Sequence, residues 1–219
     1  MRNPSSILAL GVAAALFAAL LSAHASAKDE KAHPMRVAIL PIVNGSSDVG
    51  APKIMGDIFR ERFKEIPADR ATFLEPDDTE RLLSNRNELG RAYAINDRWS
   101  KSGQIDTTAA LGLDSLLSAD AILLVKISEW ENNRVTVIGR GQSNATVGLQ
   151  FALFDLHTLR RTWTKEPREQ RFAQEIDPSS NVGYDGTGYI QSHGATDPPR
   201  YQDVASDLVR SAFKNFPQK

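Results

Sequence analysis

Apolar side chains are concentrated in one block of the chain, residues 119–163. Ala121, Ile122, Leu123, Leu124 and Val125 form an unbroken run, Lys126 and Ile127 extend it, and the chain turns polar at Ser128 and Glu129. After a polar interval it resumes at Thr146 and continues to Asp155. Val147, Leu149, Phe151 and Leu153 occupy alternate positions there. That is the period of a strand with one buried face, and no helix buries the same set. Gly148, Gln150 and Ala152 face the other way, with Phe154 the exception. Leu156, His157 and Thr158 predict a turn, and Arg160, Arg161, Thr162 and Trp163 a returning strand. Residues 119–163 are therefore expected to form a long antiparallel hairpin at the centre of one sheet. A further strand is expected at 135–138, turned back by 139–144. Residues 168–172 continue the line after Trp163, with Pro167 limiting the pairing.

The flanking segments alternate between strand and helix patterns. Residues 36–44 are almost continuously apolar, as in a strand buried on both faces, and Pro41, which has no N–H, should end it, bulge it or hold it at an edge. Residues 44–48 read as a loop. Pro52 suits a helix's first turn, and Met55, Ile58, Phe59, Phe63 and Ile66 recur at helical spacing. Residues 71–74 predict a short strand, and Pro76 with Asp77 and Asp78 a helix start favoured by its dipole, with Leu82 and Leu83 buried. Residues 85–103 fit a helix loosely through Leu89, Tyr93 and Ile95, and 97–103 read as loop. Asp106 is expected to cap a helix reaching about Leu117, broken at Gly112. The clearest helix is the last, where Tyr201, Val204, Ala205, Leu208, Val209, Ala212, Phe213 and Phe216 keep the i, i+3, i+4, i+7 rule. The pattern predicts one α/β domain over 36–219, a mixed sheet flanked by helices with no internal repeat.

The amino-terminal pattern assigns a compartment. Arg2 precedes an apolar stretch at 7–21, and Ala25-Ser26-Ala27 supplies a small-x-small site. These parts predict a signal peptide over 1–27 with cleavage before Lys28, followed by a flexible leader at 28–35. Export to the periplasm is the expectation, without lipidation, because the chain has no cysteine. That composition also excludes disulfides and thiolate metal sites. About 192 residues remain after cleavage, enough for one ordinary domain without staples. With 26 basic against 27 acidic residues, the chain lacks the positive surplus of a nucleic-acid binder. No transmembrane span is expected after signal removal.

Candidate chemistry is sparse. Beyond the signal the histidines are His33, His157 and His193, with no spacing that converges them on a metal; no metal and no cofactor is expected. Ser46, Ser47 and Asp48 follow the first strand, where a site can form, but no Gly-x-Ser-x-Gly elbow is present. Loop serines of this kind usually bond nearby backbone. The Gly45–Gly50 loop could cradle an anion at a helix start, although it lacks a phosphate loop's lysine. Asn44 and Asn144 head two short N-x-Ser/Thr sequons. Residues 176–200 hold four Gly and three Pro, and a loop of that length is functional or disordered. Within it Tyr184, Asp185 and Tyr189 make a candidate interaction loop, since tyrosines are common interface residues. Asn44 and Asp48 are the secondary candidates.

Several local strings resemble a bacterial envelope superfamily that includes LpoB-like penicillin-binding-protein activators, the curli secretion protein CsgG and the amino-terminal domain of TolB. Residues 36–44 resemble its first strand, which ends in proline and a polar residue. Residues 118–130 look like its post-helix strand after an alanine-aspartate turn, and 153–163 like its hairpin, with an Asp-x-x-Thr turn and a strand bearing Trp. The nearest branch is that of small envelope lipoproteins of unassigned function. The similarity spans about 36–175 and the closing helix. It implies an α/β fold without catalysis and a partner in the envelope. Two features depart from it: no lipidated cysteine is present, and Leu159 stands where glycine usually follows the turn. The expected function is non-enzymatic partner binding in envelope assembly or maintenance, with self-association through a sheet edge also open. The alternative is a periplasmic hydrolase or small-ligand-binding protein built on residues 44–50 and a histidine.

Overall fold

In the computed structural model, residues 33–134, 142–173 and 197–217 are described. Pro34–Lys219 is one compact unit. The predicted signal at 1–27, the 135–138 strand, and the interaction residues Tyr184, Asp185 and Tyr189 lie outside the described residues, as does His193.

Among the described residues one mixed sheet holds seven strands: β1 (Met35–Ile39), β2 (Val43–Asn44), β3 (Ala71–Leu74), β4 (Ala121–Asn133), β5 (Asn144–Asp155), β6 (Arg161–Lys165) and β7 (Arg168–Phe172). The spatial order is β3-β1-β4-β5-β6, with β2 on β4 and β7 on β5. β1 is parallel to β3 and β4, whereas β4 and β5 are antiparallel from Ala121↔Asp155 to Asn133↔Asn144. The central hairpin expected from the alternation is present. β6 and β7 both pair with β5, interrupted at Pro167, whose carbonyl accepts from Leu149 N at 2.9 Å. Among the described residues six α-helices flank the sheet: α1 (Ala51–Arg62), α2 (Pro76–Ser84), α3 (Leu89–Ser102), α4 (Thr107–Ala110), α5 (Leu113–Leu117) and α6 (Tyr201–Phe213).

Both faces of the sheet are covered. On one, α1 and α6 bury Met55, Phe59, Val204, Val209 and Phe213 against Leu123, Val125, Leu149, Phe151 and Leu153. On the other, α2–α5 bury Leu83, Ile95, Trp99, Leu113 and Leu117 against Ile122, Leu124, Ala152 and Phe154. The single buried face expected for β5 is therefore corrected: Ala152 and Phe154 belong to a second core layer. That layer stops near Lys126. Beyond it β4 bulges between Ile127 and Glu129, and the Ser128 hydroxyl and Glu129 side chain fill the space beside Gly148, where a Cβ would meet Ser128 Oγ at 2.7 Å.

Residues 85–103 also need correction. From Leu89 the chain is one continuous helix to Ser102, through the 97–102 segment expected to be loop, and is closed by Gly103 at φ 71°. Its buried positions, Ala92, Ile95, Asn96 and Trp99, follow the helical rule; an alanine and an asparagine among them weaken the apolar signal. Asn96 is inward because its Nδ2 donates to the Pro41 carbonyl at 2.7 Å. There three residues, Leu40 to Ile42, lie between the paired Ile39 and Val43, against two of β4, Leu124 and Val125, between Leu123 and Lys126. Pro41 thus sits in a bulge, as its missing N–H requires. The other expected caps hold. Asp106 accepts from Ala109 N at 3.0 Å, and Gly112, at φ 76°, separates α4 from α5.

The β5–β6 turn is built on Asp155. Its Oδ1 accepts from His157 N (3.0 Å), Thr158 N (2.7 Å) and Thr158 Oγ1 (2.9 Å). Leu159 follows at φ 56°, so the left-handed conformation that glycine favours is kept by a leucine, at a cost of about 1 kcal/mol. Its side chain packs on the second core layer, which offsets that cost. Partial burial raises the Asp155 pKa, but the three hydrogen bonds outweigh it and hold the carboxyl below its ordinary value. A depressed carboxyl pKa contributes stability above the unfolded-chain value near 3.9 and loses it as pH falls through the folded value. Asp155→Ala should therefore cost about 2 kcal/mol at neutral pH, and the difference from wild type should shrink on acidification. Urea unfolding across pH measures both; a pH-independent difference would refute the charged-acceptor role.

Candidate interaction surface

The parallel strands β1 and β2 run towards the loop 44–50, the position where an open α/β sheet ordinarily presents its binding residues. The loop is bonded to itself. Asn44 Oδ1 accepts from Ser46 N (3.0 Å) and Ser46 Oγ (2.7 Å), and Asn44 Nδ2 donates to the Asp48 carbonyl at 2.8 Å. Asp48 Oδ1 accepts from Gly50 N at 2.8 Å. Gly45 N donates to the Ile127 carbonyl at 2.8 Å, an approach so close that a Cβ on Gly45 would lie 2.7 Å from that oxygen. Glycine is therefore required at this position. With Asn44, Ser46 and one Asp48 carboxylate oxygen bonded within the loop, Val49 is held out, 94% exposed.

Beside the loop stands an aromatic pair. Trp130 of β4 stacks on Tyr201, the first residue of α6, with ring centroids 5.2 Å apart and planes at 26°. Trp130 is buried, and its Nε1 has no acceptor. Tyr201 is hydrogen-bonded to Asn132. Burial pushes its phenol above the ordinary pKa, the Asp48 charge adds to the rise, and the Asn132 bond opposes it. Arg134 and Asp197 close an exposed ion pair nearby in sequence, at 2.7 Å. The sequence marks Tyr201 as a helix residue and Trp130 as a strand residue; their meeting is a product of the fold.

The expected residues divide clearly. Asn44 and Asp48 lie in this loop, where their side chains bond Ser46, the Asp48 carbonyl and Gly50 N and so shape it. The anion cradle is also corrected: the backbone N–H of Gly50 is taken by Asp48's own carboxylate. Ser46 Oγ is held by Asn44, and His157 lies in the β5–β6 turn, with Nδ1 3.8 Å from Asp114 and Nε2 4.0 Å from Asp120. In register, Asn44 is level with Ile127 and the turn follows Asp155, which is level with Ala121. Six strand residues, about 20 Å, separate the serine from His157, so the two do not form a catalytic pair. Among the described residues no cluster of His, Asp or Glu could hold a metal, and no helix is long and apolar enough to cross a membrane.

No family model matches the chain, and no curated protein matches it. Solved structures similar to it include lipoprotein GNA1162 from Neisseria meningitidis, 15% identical, covering 67% of this chain and 90% of that one at a TM-score of 0.48. The PelC dodecamer from Paraburkholderia phytofirmans is 14% identical, with coverages of 85% and 90% and a TM-score of 0.45. The LpoB C-terminal domain from Escherichia coli is 11% identical, with coverages of 68% and 92% and a TM-score of 0.38.

The Tyr201 environment has a direct signature. A raised phenol pKa means that the neutral form is favoured in the fold, so its contribution is complete below the unfolded value near 10 and is lost as pH rises through the folded value. Spectrophotometric titration of the folded protein should show a phenolate transition above the ordinary range, and Tyr201→Phe should remove it. A titration unchanged by that substitution would contradict the arrangement.

Proposed function

We propose that this chain is a non-enzymatic, exported protein of the bacterial envelope that binds a protein partner in envelope assembly or maintenance. The observation that carries the reading is the loop 44–50, which spends its hydrogen bonds internally and holds out Val49. A loop ordered before contact loses little conformational entropy on binding, and an apolar side chain at its apex gains area when covered. Tyr201 and Trp130 support the same surface from behind. The export signal at 1–27 supports a periplasmic location, and Tyr184, Asp185 and Tyr189 belong to the proposal as a second contact loop. Absence of cysteine fits an unlipidated product.

The mature protein should begin at Lys28 by intact-mass measurement. A photo-crosslinking residue at Val49 should capture a discrete envelope protein in cells, one at Tyr184 should capture the same protein, and one at exposed Lys101 should not. An adduct of twice the chain's mass at Val49 would identify the partner as a second copy. Equal labelling at all three positions, or none at Val49, would overturn the surface.

A further inference from the structure

At the end of the sheet away from loop 44–50, the segment between α1 and β3 faces the last turns of α6 across a groove of ≈ 610 Å³. Its apolar lining comes from Ile66 and Pro67, with the buried Val209 and Phe213 forming the floor beneath. Its charged lining is unbalanced, with Arg62, Arg70, Arg210 and Lys214 against Glu65 and Asp207. Both carboxylates are already engaged. Glu65 holds Arg62 at 2.5 Å and Arg210 at 3.4 Å, and Asp207 holds Arg171 at 3.0 Å and Arg210 at 3.6 Å. Arg70 has no carboxylate partner among the described residues; its Nη2 donates to the Phe216 carbonyl, and its buried Nε has no acceptor.

A helix carboxyl end ordinarily disfavours anions. Here Lys214 N and Phe216 N bond back to the Arg210 and Phe213 carbonyls, and Arg70 covers that of Phe216. The Arg210 and Phe213 carbonyls are thus engaged, and four cations stand in the lining against two carboxylates that are already paired. A second hollow of ≈ 510 Å³, walled by Phe59, Phe63 and Phe73, adjoins across Ile66 and Pro67, so an apolar chain has room to continue.

We propose that this groove binds an anionic amphiphile, a carboxylate or phosphate monoester on a single acyl chain. The tail lies along Ile66 and Pro67 over the edge of Phe213, and the head sits against Arg70 and Lys214. Volume and lining match small-ligand sites, which are largely apolar with a few placed polar groups. The site is separate from the partner surface and independent of that reading: the head position at Lys214 lies the length of α6, about 20 Å, from Tyr201, and the groove shares no residue with the loop 44–50 or the Trp130–Tyr201 pair.

Titration of the mature chain by calorimetry, below micelle-forming concentrations, tests this. Dodecanoate and dodecyl phosphate should each bind saturably, one per chain. Dodecanol should bind at least about tenfold more weakly, and inorganic phosphate alone should not bind. Arg70→Gln and Lys214→Glu should each weaken dodecanoate about tenfold, roughly 1.4 kcal/mol. Ser211→Trp, at an exposed lining position, should abolish binding by filling the groove; thermal unfolding verifies that each variant is folded, and the latter two serve if Arg70→Gln is not. Dodecanol binding as tightly as dodecanoate, phosphate binding as tightly as dodecyl phosphate, no saturable binding, or unchanged affinity in folded variants would each overturn the proposal.

Discussion

The β4–β5 ladder is the constraint on which the rest of this fold depends. A strand covered on both faces must be apolar on both, whereas a strand covered on one must alternate. β4 does each in turn. From Ala121 to Val125 every residue is buried, and from Lys126 onward burial is intermittent. The changeover sets where α2–α5 end, where the bulge at Ser128 falls and where Gly148 is needed. Helices α1 and α6, by contrast, continue along the first face, so Trp130 still finds a stacking partner in Tyr201 beyond the point where the second layer has stopped.

A bulge and a left-handed turn residue are held by side chains from elsewhere. The bulge at Pro41 is tied by Asn96 from α3, and the left-handed Leu159 is held between the Asp155 turn and the second core layer. Asp120 closes the same end: its Oδ2 accepts from Arg36 N at 2.8 Å, its own N donates to the Arg36 carbonyl, and its carbonyl accepts from Leu156 N. One acidic residue thus joins the start of β1, the entry to β4 and the exit of β5.

What was legible in the sequence was whatever depends on near neighbours. Helix α6 shows an unbroken apolar stripe, β5 a strict alternation, and Pro52, Pro76, Asp106 and Gly112 mark helix boundaries by local stereochemistry. Helix α3 was obscured because Asn96 occupies a core position for a tertiary reason, its bond to Pro41, while Ala92 contributes little apolar signal. The second buried face of β5 was obscured because Gln150 and Gly148 share its parity with Ala152 and Phe154. At the candidate surface, Asn44 and Asp48 could be placed in a loop, but Val49 as its apex and the Trp130–Tyr201 stack follow from long-range pairing that no local pattern encodes.

The uneven covering of β4 also divides the sheet dynamically. Backbone hydrogen bonds between two packed layers exchange with solvent chiefly through global unfolding, while those with one open face are reached by smaller openings. The Ala121–Val125 half is thus the slow-exchanging part, and the half carrying Trp130 and Asn132 the softer one. Loop 44–50 is fastened to that softer half through Ile127. Its own shape is fixed by internal bonds, so the loop moves with the strand that carries it.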